Sequence, residues 1–185
     1  MSVEIEREFS FLVNELPAGL EKFPSKIIED NYIPTGSYNP SVRVRRNGEK
    51  YEITKKQPVD STSGDSTRQI EHTILLTRAE YDFLNKLDGK RFRKRRFMYE
   101  IDGYTAELDV YLDKLAGLAV VEFEFSSEEE MANFVKPEFA RADVSQELYA
   151  AGGFLAGKSY DDIADVLKEK YGYEPIKEVE KYAEH

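Results

Sequence analysis

The first residues that could do chemistry are acids at alternate positions in the segment VEIEREFSF, residues 3–11. Glu4, Glu6 and Glu8 alternate there with mostly apolar residues. A β-strand points alternate side chains to opposite faces, so this pattern predicts a strand with one carboxylate face and one apolar face. Carboxylate oxygens are the ligands that Mg²⁺, Mn²⁺ and Ca²⁺ prefer in proteins. A plain solvated acidic face is the alternative that this strand by itself leaves open.

Later segments repeat the alternation with both signs of charge. If the strands form one sheet that closes with its apolar faces outward, its interior holds two groups. These are the carboxylates Glu4, Glu6, Glu71, Glu107, Asp109, Glu122 and Glu124, and the cations Arg43, Arg45, Lys56 and either Lys94 or Arg96. Buried charges need partners or metals, so this mixture suggests a polyphosphate that carries divalent cations. Ordinary cross-strand ion pairs on a wet surface are the alternative.

About eight antiparallel strands in meander order must position these side chains. Asn47-Gly48 and Asp102-Gly103 predict tight hairpin turns, and Thr77 with Glu80 predicts a capping box at a helix start. Large sheets often close to remove their edges. The expected fold class is therefore α+β, a closed antiparallel eight-stranded β-tunnel (a barrel) with helices packed on the outside.

The chain length of 185 residues suits one domain over residues 1–185. We expect tunnel strands over about residues 1–125, a C-terminal helical segment over about 126–175 and a charged, frayed tail over 176–185. Residues 142–154 are predicted to be loop-like. In the arginine-rich strand over residues 90–101, periodicity does not decide which face is inside.

Composition excludes several classes of site. Cysteine is absent and there are two histidines, so thiolate metal sites and cysteine nucleophiles are excluded. The net charge of -10 argues against nucleic acid and anionic membranes as partners. We find no apolar signal segment or membrane-spanning run, so a cytoplasmic protein is expected. Nothing in the pattern indicates an oligomeric state.

Six of the charged segments, taken in order, resemble the CYTH superfamily of triphosphate tunnel metalloenzymes. Its members include CyaB-type adenylate cyclases, thiamine triphosphatases and inorganic tripolyphosphatases. The resemblance covers roughly residues 1–157 and rests on six short motifs that occur in family order. The motifs are Glu4-Ile5-Glu6-Arg7-Glu8, Arg43-Val44-Arg45, Thr54-Lys55-Lys56, Lys94-Arg95-Arg96, Glu107-Leu108-Asp109-Val110 and Val121-Glu122-Phe123-Glu124-Phe125.

The resemblance implies hydrolysis of a triphosphate that binds in the tunnel with Mg²⁺ or Mn²⁺. Inorganic tripolyphosphate is the favoured substrate, with thiamine triphosphate or a nucleoside triphosphate as alternatives. By position in the motifs, the metal ligands would be Glu4, Glu6, Asp109, Glu122 and Glu124. The phosphate-binding residues would be Arg43, Arg45, Lys56, Lys94 and Arg96, which also selects the inner face of the arginine-rich strand. The implied partner is a small-molecule triphosphate or polyphosphate.

One position departs from the family pattern, because Glu8 stands where the family has a lysine. In the family that lysine reaches the phosphates and, with a tyrosine that could be Tyr32, has been linked to activating water. Glu8 is therefore a candidate general base, metal ligand or partner of Arg43 or Lys56. Two alternatives to hydrolysis remain. One is a non-catalytic polyphosphate- or nucleotide-binding module, and the other is an adenylate cyclase, for which no adenine-binding set is recognisable.

Overall fold

The computed structural model describes residues 2–36, 42–59 and 67–183, with side chains from residue 5 onward. The side chain of Glu4 therefore lies outside the described part. The strands are β1 (Ser2–Val13), β2 (Ser25–Ile33), β3 (Val42–Asn47), β4 (Lys50–Pro58), β5 (Arg68–Leu76), β6 (Lys90–Ile101), β7 (Tyr104–Tyr111), β8 (Ala119–Glu124) and β9 (Ala140–Asp143). The α-helices are α1 (Arg78–Leu84), α2 (Glu128–Ala132), α3 (Gly152–Leu155) and α4 (Asp161–Tyr171). Among the described residues, no helix has the length and apolar character needed to cross a membrane.

Strands β1 to β8 form a closed antiparallel barrel, which confirms the predicted fold class. Their order is β5-β4-β3-β2-β6-β7-β8-β1, and β1 pairs back onto β5. Closure depends on a division within β1, whose residues 2–7 pair with β5 while residues 8–12 pair with β8. The short β9 adds to the far end of β1. A closed sheet leaves few unpaired edges for other chains to join.

The predicted meander order is wrong at two connections. β1 does not pair with β2, and β5 does not pair with β6; instead β2 lies between β3 and β6. These two connections are crossovers, and local sequence does not specify which distant strand completes each pair. The predicted hairpin turn at Asp102-Gly103 is confirmed, and both residues have positive φ. The other predicted hairpin also forms, but its turn is one residue later than predicted, at Gly48-Glu49, because Asn47 pairs with Lys50. The capping box is also confirmed, with Thr77 and Glu80 bonding each other's backbone N–H.

Aromatic packing outside the barrel explains which strand faces turn inward. The ring of Phe134 is surrounded by Phe9 and Phe11 of β1, Phe123 of β8 and Phe125, the residue that follows β8. These four rings lie on the outer faces. The ring centroids of Phe123 and Phe134 are 4.7 Å apart. Alternate residues of these strands must point the other way, so burying this aromatic cluster places the intervening carboxylates inside the barrel.

One end of the barrel interior is apolar. Inward-facing residues of five strands pack there with residues of α3 and α4, and the cluster includes Leu12, Tyr32, Phe92, Tyr111, Val120, Leu155, Ile163 and Leu167. The C-terminal helices thus cover an end of the barrel as well as its outside. The polar side chains share what remains of the interior.

The C-terminal segment is ordered where a frayed tail was predicted. Ile176, Val179 and Tyr182 are buried against the outer core cluster. The Tyr182 ring packs edge-on against Phe97 at 5.3 Å, and Arg95 Nε donates to the Tyr182 carbonyl oxygen at 2.6 Å. The prediction was wrong because it was based on the charges of the tail, whereas the three apolar residues spaced along the tail decide its packing. Residues 142–154, which were predicted to be loop-like, include the end of β9 and most of α3.

Tyr182→Ala is expected to lower the free energy of unfolding by about 3 kcal/mol, the usual cost of truncating a buried large side chain. Urea unfolding followed by circular dichroism measures the change. Lys181→Ala is the matched control, because the Lys181 side chain is 57% exposed and its loss should change little. Equal midpoints for the two variants would mean that the tail does not contribute to stability.

Candidate active site

A cavity of about 600 Å³ lies inside the barrel and is lined by side chains from all eight barrel strands. Among the described residues, eight carboxylates and five cations line it. The carboxylates are Glu6, Glu8, Glu52, Glu71, Glu107, Glu122, Glu124 and Glu147, and the cations are Arg43, Arg45, Lys56, Lys94 and Arg96. Tyr32 also lines the cavity. The structure thus brings together the five predicted phosphate-binding residues, three of the predicted metal ligands and both predicted catalytic residues.

The two remaining predicted ligands have different positions. Asp109 is fully buried and contacts two of the cavity cations. Glu4 lies in β1 opposite Glu71 of β5, and its side chain is outside the described part.

Arg96 is the centre of a buried ion-pair network on the β6–β7–β8 side. Its Nε and Nη2 donate to the two carboxylate oxygens of Asp109 at 2.7 Å and 2.6 Å, and Nη2 also donates to Glu122 at 2.6 Å. Arg96 Nη1 contacts Glu107, and Lys94 Nζ contacts Asp109. Because a buried charge needs a partner, Asp109 holds both cations in place beneath the cavity surface.

A second group surrounds Lys56 on the β1–β4–β5 side. Lys56 Nζ pairs with Glu6, and lies 3.8 Å from Glu8 Oε1 and 3.6 Å from Glu71 Oε2. One ammonium group is therefore shared by three carboxylates. Of the roles considered for Glu8, pairing with Lys56 is the one that this geometry shows.

The third group joins β2 to β3. Asp30 accepts two hydrogen bonds from Arg45, from Nε at 2.7 Å and from Nη2 at 2.8 Å. Arg43 Nε lies 3.9 Å from the same carboxylate. Asp30 and Arg45 face each other directly in the strand register, which fixes the pair.

Burial and neighbouring charges shift the carboxyl groups in opposite directions. Burial raises the pKa of Glu6 to about 7, although Lys56 opposes the shift. The pKa of Glu8 is also raised by burial, again against the effect of Lys56. Burial would raise the pKa of Glu122 as well, but Arg96 and Lys94 outweigh it and lower that pKa to about 2. The cavity thus combines a carboxylate that stays ionised with acids that hold protons more tightly.

The donor set of the cavity suits a hard divalent cation. Within the described part, no three His, Asp or Glu residues form a group that could hold a metal ion. Several of the carboxylates pair with cations instead. The oxygens are nevertheless the ligands that Mg²⁺ and Mn²⁺ prefer. Glu6 Oε2 is buried and lies against Lys56 Nζ as an ion pair. It accepts no hydrogen bond from the described residues. The excess of carboxylates over cations would repel a bare triphosphate, so divalent cations fit the charge of the site.

Sequence reasoning missed some of the residues that complete the site. Asp30 was not selected because both faces of β2 carry mixed residues, so alternation gave no inner face. Tyr111 lines the cavity beside Lys94, whose Nζ lies 5.6 Å from the ring centroid. Residues 144–148 and 150–153 also line the cavity. The first segment is mixed in character, and the second consists of alanine and glycine alone. One feature of the sequence could have indicated Asp30: it is an acid in the predicted strand that precedes the strand of Arg43 and Arg45.

Acid is expected to destabilise the protein as the pH falls from about 4 towards 2. Burial alone would raise the pKa of Asp30, but Arg45 and Arg43 outweigh it and lower the pKa from 3.8 to about 2. A depressed pKa means that ionised Asp30 stabilises the fold above about pH 4 by about 2 kcal/mol, and protonation removes this contribution. Urea unfolding at several acidic pH values measures the slope. Asp30→Asn should show a shallower slope, and equal slopes would contradict the assignment.

The fold and the cavity together define a class, the polar-lined antiparallel tunnel. An inorganic triphosphatase of Nitrosomonas europaea is 31% identical to this chain over 147 residues, which are 78% of this chain and 90% of that protein. The crystal structure of the inorganic triphosphatase NE1496 has a TM-score of 0.60 at 26% identity and covers 83% of this chain and 95% of its own. No protein-family model matches the chain.

A more distant structure supports the fold alone. A candidate adenylate cyclase of Bacillus halodurans has a TM-score of 0.53 at 14% identity, with all of both chains covered.

The identity to the triphosphatase of Nitrosomonas europaea shows the family. The chain belongs to the CYTH superfamily together with that inorganic triphosphatase, as the charged motifs predicted.

Proposed function

We propose that this protein hydrolyses a triphosphate inside the barrel, with a divalent metal ion, and that inorganic tripolyphosphate is its preferred substrate. The main observation in support of the proposal is that five cations and eight carboxylates line one cavity of about 600 Å³. Family membership with an inorganic triphosphatase supports the reaction and the substrate.

The cations supply the contacts that a linear chain of phosphates needs. Arg43 offers a planar fork of N–H donors, and Lys56 and Lys94 offer point charges. Arg45 and Arg96 add positive charge, while acids hold their forks in place. These residues come from β3, β4 and β6, so they can surround a substrate rather than contact it from one side. Binding would therefore orient the phosphate chain along the cavity.

The carboxylates proposed to hold Mg²⁺ or Mn²⁺ are Glu4, Glu6, Glu122, Glu124 and Asp109. Glu6, Glu122 and Glu124 line the cavity and can contribute oxygens from its wall, whereas the side chain of Glu4 lies outside the described part. Asp109 is bound at both oxygens by Lys94 and Arg96, so it would reach a metal only after those contacts reorganise. When bound, the metal would neutralise charge that develops on the phosphate oxygens.

Glu8 and Tyr32 are the proposed catalytic residues. Burial raises the pKa of Glu8, and a carboxylate with a raised pKa is a better general base for water. Burial also raises the pKa of Tyr32, so its hydroxyl stays protonated and can donate to a phosphate oxygen.

Glu8→Lys is expected to lower the rate of phosphate release by about a hundredfold, since general bases contribute at least that factor. Initial rates with tripolyphosphate and metal measure the effect.

The pairing of Glu8 with Lys56 favours one second candidate, a module that binds polyphosphate without turnover. A gain of hydrolysis in Glu8→Lys would support that module and overturn the role of Glu8 as a base.

The proposed function is tested by measuring phosphate release from tripolyphosphate, thiamine triphosphate and ATP, each with Mg²⁺ and with Mn²⁺. We expect the fastest release from tripolyphosphate and none after addition of EDTA. Product analysis with ATP separates hydrolysis from cyclisation, because a cyclase would form cyclic AMP. A wild-type protein that releases no phosphate from any of the three substrates would overturn the proposal.

A further inference from the structure

The two cavity arginines of β3 are held in different ways. The Arg45 guanidinium is tied to Asp30 by two hydrogen bonds at 2.7 Å and 2.8 Å. The Asp30 side chain has no exposed surface, and the Arg45 side chain is 10% exposed. Charge-assisted pairs of this fork geometry are strong, and their partners are costly to separate inside a protein.

Arg43 has only looser contacts with acids. Its Nε lies 3.9 Å from Asp30 Oδ1 and its Nη2 lies 3.7 Å from Glu71 Oε2, both beyond hydrogen-bond distance. Its Nε is buried without a hydrogen-bond partner among the described residues. A buried donor without an acceptor is an unfavourable arrangement that an incoming phosphate oxygen would relieve.

We propose that Asp30 is a positioning residue that fixes Arg45 as a charge of the cavity wall and leaves Arg43 free to bind the phosphates of the substrate. This inference rests on the proposed function. For Arg45 to turn its whole fork to a phosphate, it would have to abandon Asp30 and leave a buried carboxylate unpaired. The contacts of Arg43 with acids are both long, so a phosphate could replace them without breaking a hydrogen-bonded ion pair.

The geometry also explains why the pair must stay intact. Asp30 Oδ1 is already 3.9 Å from Arg43 Nε, so a small movement would bring them into contact. If Arg45 is removed, the orphaned carboxylate would attract Arg43 and hold it away from the substrate. Removing the carboxylate as well should release Arg43 again.

The experiment is calorimetric titration with the non-hydrolysable imido analogue of tripolyphosphate in the presence of Mg²⁺. Arg43→Gln is expected to weaken binding by about ten- to a hundredfold, because the substrate loses a charged, two-pronged hydrogen-bond donor. The unfolding temperature should not change. Arg46→Gln is the matched control, because Arg46 lies on the same strand, points outward and has a side chain that is 41% exposed. It should bind like the wild type.

The second arm tests Asp30 by rescue. Arg45→Gln should weaken binding and lower the unfolding temperature, whereas Asp30→Asn/Arg45→Gln should bind within about threefold of the wild type, because the two sites are coupled. Affinities are compared at a temperature at which both variants are fully folded, so that recovered stability alone cannot account for recovered affinity. If Arg45→Gln does not fold, the double variant, which has no orphaned charge, is compared directly with Arg43→Gln.

Two results would overturn the inference: Arg43→Gln that binds like the wild type, or a double variant that binds no better than Arg43→Gln. The binding assay needs no turnover, so it is separate from the proposed function. A wild-type protein that binds the analogue through Arg43 but releases no phosphate from tripolyphosphate would overturn the proposed function and support this inference.

Discussion

Arg96→Met is expected to lower the free energy of unfolding by about 3–5 kcal/mol, the cost of leaving buried charges without their partner. Arg96 donates to both oxygens of Asp109 and to Glu122, and it contacts Glu107. Asp109 has no exposed surface, so water cannot replace the lost donors. Lys94 would remain as its only cationic partner among the described residues.

Urea unfolding of Arg96→Met and of Arg93→Met gives the comparison. Arg93 lies on the same strand but its side chain is 37% exposed, and exposed pairs contribute about 1 kcal/mol or less. Arg96→Met/Asp109→Leu should recover part of the loss, since removing both members of a buried pair is often tolerated. If the two single variants unfold at the same urea concentration, the network does not stabilise the fold as described.

Glu122→Gln is expected to lower phosphate release from tripolyphosphate by about two to three orders of magnitude, as when a fixed electrostatic group is removed from a reaction site. Glu122 lines the cavity and its pKa is about 2, because Arg96 and Lys94 outweigh the effect of burial. It is therefore ionised and available as a metal ligand at neutral pH. The amide keeps the shape of the side chain and removes the charge.

Rates measured over a range of Mg²⁺ and Mn²⁺ concentrations distinguish two causes of the loss. Weaker metal binding would shift the metal concentration needed for half-maximal rate, whereas a misfolded variant would lose rate at every concentration. Glu29→Gln is the control, because Glu29 lies on the outer face of β2 and pairs with Arg93 and Arg46. A Glu122→Gln variant as active as Glu29→Gln would rule out a catalytic metal at this carboxylate.

The sequence by itself determined the inner face of the strands in which acids alternate with apolar residues. Alternation is a local property with a period of two, so Glu6, Glu8, Glu122 and Glu124 had to lie on one face once their apolar neighbours were buried. The hairpin turns at Gly48 and Gly103 were also readable, because they depend on two adjacent residues. The order of the charged motifs along the chain was enough to indicate the family.

The tertiary structure decided what each charge contacts. Asp30 meets Arg45 because β2 and β3 pair in one register, although a connection of eight residues separates the strands. The pairing of β2 with β6 and the division of β1 between β5 and β8 join strands that are much farther apart in sequence. Local patterns fix the face of a residue but not the partner across the sheet, since the partner depends on register between strands that are distant in sequence. The same reason explains why the burial of Tyr182 against Phe97 became visible only in the folded chain.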